Sequence, residues 1–202
     1  MIEREVKFEL ELDQPVPRLD GVGPVVRQDE PVKAVLEATY FDTAGYRLIG
    51  SGVTLRRRTG GTDAGWHLKL PHESGHREEV TEPLGSSGES VPESLLARVR
   101  DRVEGDLLPV ARIRTTRYSY ALLGTDDRPL ATLVDDHVAA EAAGEQPSPT
   151  AWRELEVELA EGTDDAVLDQ ISQALRAAGV RPSRWPSKLR RVLGDHLPSD
   201  AG

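Results

Sequence analysis

The sequence predicts an α+β fold: an eight-stranded antiparallel closed β-barrel with a few flanking helices. Three observations carry that expectation. About eight segments alternate apolar and polar residues with period two, the mark of strands with two unlike faces. Turn signals, not long crossovers, separate most of them, which favours antiparallel neighbours. Eight strands also suffice to close a barrel whose interior holds side chains or one small ligand.

The first strand, Ile2–Leu12, puts Ile2, Val6, Phe8, Leu10 and Leu12 on one face, with Arg4 the exception. Glu3, Glu5, Lys7, Glu9 and Glu11 share the other face. Asp13–Glu30 is rich in Pro and Gly and reads as a loop. Val32–Asp42 is the second strand, Thr43–Gly52 a turn of helix, and Val53–Thr59 the third strand, closed by the hairpin signal Gly60-Gly61. Trp66–Leu70 alternates cleanly, and His76–Leu84 follows after a loop. Across Pro92–Glu104 the period changes: Leu95, Leu96, Val99 and Val103 form a helical stripe between Pro92 and Gly105. Strands resume at Val110–Leu122 and Pro129–Ala139 about the turn at Gly124, and Trp152–Leu159 is the last. Thr163-Asp-Asp caps a helix through Ala178, stopped by Gly179, and Pro186–His196 reads as a short closing helix.

Length and composition fit one domain over residues 1–202, with 197–202 as a tail. The 35 acidic and 25 basic residues give a net charge of −10, ill suited to non-specific duplex binding, although a local basic patch can still hold an anion. With no cysteine, disulfides, thiolate metal sites and cysteine nucleophiles are excluded. No apolar run reaches membrane-spanning length and the charged N-terminus is no signal peptide, so a cytoplasmic protein is expected. Only four basic residues are lysine: Lys7, Lys33, Lys69 and Lys188. A chain that uses arginine so freely keeps lysine where a compact, deprotonatable ammonium is wanted.

One alternating charged segment is most simply an edge strand with a solvated face. Repetition changes that reading. Glu3, Glu5 and Lys7 share a face, as do Arg56 and Arg58, Arg77 and Glu79, and Glu154, Glu156 and Glu158. In a closed barrel the apolar faces meet the helices, and the charged faces point into the lumen. Desolvated charges need partners. A polyanion arriving with divalent cations satisfies both signs: Arg and Lys grip phosphate oxygens, and carboxylates hold Mg²⁺ or Mn²⁺.

The ordered set Glu3-x-Glu5-x-Lys7, Tyr40-Phe-Asp-Thr43, Leu55-Arg-Arg-Arg58, Leu68-Lys-Leu70, Arg77-x-Glu79, Thr116-Arg-Tyr118, Asp135-Asp136, Glu154-x-Glu156-x-Glu158 and Ser187-Lys188 resembles the CYTH family, the triphosphate tunnel metalloenzymes. The resemblance implies a tunnel that binds a triphosphate or polyphosphate with one or two divalent metals, Mg²⁺ or Mn²⁺. It matches Glu3, Glu5, Asp136, Glu156 and Glu158 to the metal side. Lys7, Arg56, Arg58, Lys69, Arg77, Arg114, Arg117 and Lys188 fall on the phosphate side, and Lys7, Tyr40 and Lys69 near the chemistry. Arg114 stands in for a lysine usual just before Arg117, although Arg112 and Arg114 have the opposite parity to Arg117. Gly-Trp-His-Leu-Lys-Leu-Pro and Trp-Arg-Glu-Leu-Glu-Val-Glu-Leu are closest to the CYTH half of bacterial CYTH–CHAD proteins, in which a helical CHAD domain follows. On that resemblance the chain is either a stand-alone version or a piece of a longer protein.

His72-Glu-Ser-Gly-His76 has zincin spacing but lies between strands, where a hairpin loop is the simpler reading. Trp66, Trp152 and Trp185 read as packing residues, and Arg98, Arg100 and Arg102 as a solvated helix face. Three functions remain in view: a metal-dependent triphosphatase acting on inorganic triphosphate, short polyphosphate or a nucleoside triphosphate; a class IV-type adenylyl cyclase; and a non-catalytic polyphosphate-binding module. The full acidic set favours metal chemistry, since binding a polyanion needs only the basic half.

Overall fold

A computed structural model describes residues 2–72, 77–85, 90–103, 105–143, 149–194 and 197, the side chains of residues 2 and 3 excepted. Its strands are β1 (Ile2–Glu3), β2 (Glu5–Leu10), β3 (Arg27–Gln28), β4 (Val32–Asp42), β5 (Thr54–Thr59), β6 (Gly65–Pro71), β7 (Arg77–Glu82), β8 (Leu108–Leu123), β9 (Pro129–Ala142), β10 (Pro149–Leu159) and β11 (Arg181–Pro182). The helices are α1 (Arg47–Gly50), α2 (Glu93–Val99), α3 (Asp165–Ala177) and α4 (Lys188–Leu193). All eight predicted strands are present, joined by three two-residue strands, β1, β3 and β11. Residues 73–76 of the zincin-like motif and most of the 197–202 tail lie outside the described residues.

Strand order is β1-β7-β6-β5-β4-β8-β9-β10-β2-β11, with antiparallel pairing throughout. The N-terminal segment bridges the two sides of this order. Residues 2–3 pair with β7 (Glu3↔Arg77), and residues 5–10 pair with β10 (Glu5↔Glu158). Only Arg4 separates them, so one segment draws both sides of the sheet together into a tunnel. Arg4, out of step with the apolar face, donates to the carbonyls of Thr163 at 2.6 Å and Ala160 at 3.1 Å and pins the seam to the start of α3.

Apolar residues cover the outside. Phe8, Leu155 and Val157 pack under Val167, Ile171 and Leu175 of α3. Leu55, Trp66 and Leu68 pack with Leu48 of α1 and Leu95 and Val99 of α2. Asp42, fully buried, accepts hydrogen bonds from the amides of Thr43, Leu48 and Ile49 at 2.7–3.0 Å, so the Tyr40-Phe-Asp-Thr43 motif builds α1. Gly60 (φ 78°) and Gly61 (φ 71°) make the β5–β6 turn in the left-handed region, and a Cβ at Gly60 would lie 2.1 Å from the Val35 carbonyl oxygen.

The lumen face is not uniform. Toward one end of β8, β9 and β10 it carries Ala111, Ile113, Val138, Ala140 and Trp152, and these pack with Leu189, Val192 and Leu193 of α4. That end is sealed by apolar contact. The charged remainder forms the site.

Candidate functional site

The basic wall follows from period two. β5 turns Thr54, Arg56 and Arg58 inward, β6 turns His67 and Lys69, β7 turns Arg77 and Glu79, and β4 supplies Tyr40. Arg56 donates to the Tyr40 hydroxyl oxygen at 3.2 Å. Burial works against ionising Tyr40, but Arg56, with Lys188 and Lys69, lowers the phenol's pKa. Arg58 is 5% exposed and pairs with Asp63, which reaches in from the β5–β6 turn. Burial, then Arg56 and Arg117, lower the Arg58 pKa to about 10. The Nε atoms of Arg56 and Arg58 are buried donors without an acceptor. His67 places Nδ1 2.9 Å from Glu79 Oε1 and Nε2 2.9 Å from the Asp63 carbonyl oxygen.

The opposite wall is acidic and laced with cations. Lys7 Nζ lies 2.6 Å from Glu156 and 3.1 Å from Glu5. Arg117 donates to both oxygens of Asp136, Nε at 2.8 Å and Nη2 at 2.7 Å. Lys188, the first residue of α4, sits 2.8 Å from Asp136, 2.7 Å from Glu154 and 2.9 Å from Glu156. Burial would raise the pKa of Asp136 and Glu156, but the neighbouring cations, Lys188 first, lower both. Glu158 differs: burial and then Glu5, its cross-strand partner, raise its pKa, and no ion pair holds it among the described residues.

Glu5, Lys7, Tyr40, Arg56, Arg58, Lys69, Arg77, Arg117, Glu156, Glu158 and Lys188 therefore line one cavity of about 110 Å³, and Asp136 lies buried beside it. Two sequence assignments need comment. The Glu3 side chain lies outside the described residues. Arg114 is corrected: it is on the outer surface, its side chain 66% exposed and 3.7 Å from Glu37. β8 pairs with β9 without a register shift from Ala111 to Leu122, so parity holds and Arg112 and Arg114 face away from Arg117. The tunnel also holds Asp63, His67, Glu79 and Glu154, the last two already on charged faces in the sequence. Parity foretold the last three, whereas Asp63 comes from a turn with no periodicity to read.

Two places could suit a divalent cation. Ligand oxygens of Asp136, Glu154 and Glu156 lie within 4.8 Å of one another. Lys188 already fills that trio. Glu5 and Glu158 face each other in register with less cationic compensation, and paired carboxylates beside phosphate oxygens are the donor set that Mg²⁺ or Mn²⁺ takes. These two carboxylates, register partners that line the same cavity, with Glu158 exposed, are the residues that would hold a metal beside bound phosphate.

Glu79 gives an acid-stability prediction. Burial alone would raise its pKa, but the His67 hydrogen bond and the charges of Lys69 and Arg56 bring it from 4.5 down to about 2. A depressed carboxylate stabilises the fold fully above its unfolded pKa and loses that contribution as pH falls toward its folded one. Urea melts at about pH 5 and about pH 3 should show a smaller stability loss for Glu79→Gln than for the wild type. Equal losses would place the depressed carboxylate elsewhere.

Comparison with known proteins adds the following. The family model described as CYTH domain matches residues 1–191. Uncharacterized protein Rv2226 of Mycobacterium tuberculosis strain H37Rv is 41% identical over 215 aligned residues, covering 98% of this chain and 41% of that protein. The chain thus spans about two-fifths of that relative's length. Uncharacterized protein MT2285 of strain CDC 1551 matches to the same extent. Among solved structures, a Bacillus halodurans protein described as a candidate adenylate cyclase superposes with a TM-score of 0.63 at 17% identity, covering 94% of this chain and 96% of its own. HpAC1 of Hippeastrum, described as having a dominant triphosphatase activity, gives 0.52 at 18% identity over 99% and 98%. At these identities the two structures share the fold.

Proposed function

This chain belongs to the CYTH domain family, and from that premise we propose that it is a divalent-metal-dependent triphosphatase. It cleaves a phosphoanhydride bond in inorganic triphosphate or short polyphosphate held in the tunnel. The observation that carries this reading is the basic wall: half-buried Arg56 and buried Arg58 each have a buried Nε donor lacking an acceptor, facing carboxylates across the same cavity. Buried unpaired donors are costly, and a polyanion supplies the acceptors they lack.

Arg56, Arg58, Lys69 and Arg77 bind and orient the phosphate oxygens. Glu5 and Glu158 would hold Mg²⁺ or Mn²⁺. The ion, when bound, neutralises phosphate charge and lowers the pKa of water. Tyr40, accepting from Arg56, keeps its own O–H to orient a water or a phosphate oxygen, and Lys69 stands with it at the reacting end. Lys7 holds Glu156 and Glu5 in place. The cyclase reading gains nothing from the lining, where among the described residues Tyr40 is the only aromatic side chain and no apolar slot suits a purine. HpAC1, described as dominantly a triphosphatase, supports hydrolysis by analogy.

The test is phosphate release from tripolyphosphate, ATP, thiamine triphosphate and long polyphosphate, with Mg²⁺ and with Mn²⁺. Tripolyphosphate should be cleaved fastest. Cyclic AMP as the main product from ATP would replace this reading with the cyclase, and no release from any substrate would leave a binding module. Lys69→Arg should lower turnover ~10-fold or more, because a wide, permanently charged guanidinium replaces a compact ammonium. Lys33, over the Tyr118 ring outside the tunnel, should tolerate the same change. Equal rates for the two variants would remove Lys69 from the chemistry.

A further inference from the structure

We propose that Lys188 is a tethered cation. Its ammonium sits among Asp136, Glu154 and Glu156, so that this trio takes no divalent ion and the tunnel holds at most one, at Glu5 and Glu158. Three carboxylate oxygens close enough to share a metal surround a nitrogen at 2.7–2.9 Å from each residue. An ammonium has three N–H donors, and here three carboxylates face them. The Glu156 contact has hydrogen-bond geometry and the other two are ion pairs, and these carboxylates set Lys188 apart from the basic wall.

The ammonium is held from behind as well as in front. Ser187 caps α4 by accepting from the Arg190 amide at 3.2 Å, and Leu189, Val192 and Leu193 lock the helix against Val138, Ala140 and Trp152. Moving Lys188 out would unseat the plug that seals that end of the barrel. Burial would strip the proton from an isolated lysine; Asp136, then Glu156 and Glu154, instead raise its pKa well above the ordinary value.

Charge balance points the same way. Asp136 and Glu156, whose carboxylates the cations favour, and Glu154, whose pKa burial raises, face three cations, Lys188, Arg117 and Lys7. A divalent ion forced into the trio would leave Lys188 buried among cations. Glu5 and Glu158 bring two more negative charges, whose near cation Lys7 is shared with Glu156, and a divalent ion would add the compensation they lack. Placing that ion at the pair rests on the proposed function; the occupancy of the trio by Lys188 does not.

The experiment counts Mn²⁺ on the full chain, without phosphate, by calorimetry and by electron paramagnetic resonance. The wild type should bind one ion, and Lys188→Met should bind one more, with Mn²⁺ raising its melting temperature further than that of the wild type. No ion on the wild type and one on Lys188→Met would uphold the tethered cation and sink the metal site at Glu5 and Glu158. Two ions on the wild type, or no gain on Lys188→Met, would overturn the proposal. Should Lys188→Met not fold, Glu154→Gln serves: it should leave the wild-type count unchanged, and loss of an ion would show that the trio holds metal.

Discussion

Glu156→Gln is expected to lower the melting temperature of the ligand-free protein by roughly 10 °C. Clustered glutamates in an empty tunnel suggest the opposite sign, since removing one of several like charges relieves repulsion. The geometry reverses that expectation. Glu156, itself buried, is 2.6 Å from Lys7, 2.9 Å from Lys188 and 3.5 Å from Arg117, so it is the anion that three half-buried cations share. Burial favours its neutral form, yet Lys188, Lys7 and Arg117 lower its pKa well below 4.5. Glutamine keeps the shape and one acceptor but removes the charge. Breaking a buried pair from one side costs about 3–5 kcal/mol, because the other charge is left uncompensated. At ~2–4 °C per kcal/mol for a chain of this size, the shift is about 10 °C. Thermal melting without metal or phosphate measures it, with exposed Glu161→Gln as the neutral comparison. An unchanged or higher melting temperature would mean that Glu156 stands among carboxylates in the apo state, not among cations.

That reversal marks how far the sequence could be read. Period two placed every long strand and sorted each into a core face and a charged face, because a strand alternates whatever its neighbours are. Its parity set Arg114 opposite Arg117, although the resemblance had placed both on the phosphate side, and it divides Asp135 from Asp136 as well. Asp136 meets Arg117 in the tunnel, while Asp135 lies on the other face, where Arg153 donates to it at 2.8 Å. What alternation cannot supply is which inward charges meet. Lys188 and Asp136 are far apart in the chain, and their 2.8 Å contact depends on how α4 seats in the barrel end. Arg4 breaks the first strand for a similar reason, since its partners Ala160 and Thr163 belong to the far end of the chain. Asp63 sits in a turn whose glycines announce the reversal but not the direction of its side chain.

Arg58→Met should have the opposite profile from Glu156→Gln: little or no loss of apo stability and a collapse of phosphate binding. Burial, Arg56 and Arg117 disfavour the charged form of Arg58 in the fold, lowering its pKa to about 10, so its charge works against the empty tunnel. Its ion-pair partner, Asp63, has a side chain 53% exposed and is readily solvated once released. Methionine fills similar space without charge. With tripolyphosphate bound, the same guanidinium would make charge-assisted hydrogen bonds worth about 1.5–3 kcal/mol each. Losing two of them weakens binding by about 3 kcal/mol or more, roughly 100-fold in Kd. Calorimetric titration of tripolyphosphate with Mn²⁺ reads the affinity, and melting with and without ligand reads the stability. Ligand should raise the melting temperature of the wild type by mass action and scarcely move that of Arg58→Met. Unchanged affinity would mean that the basic wall is not where the phosphate lies. A large fall in the apo melting temperature would make Arg58 a structural cation like Lys188, and the two walls would lose their division between holding the fold and holding the substrate.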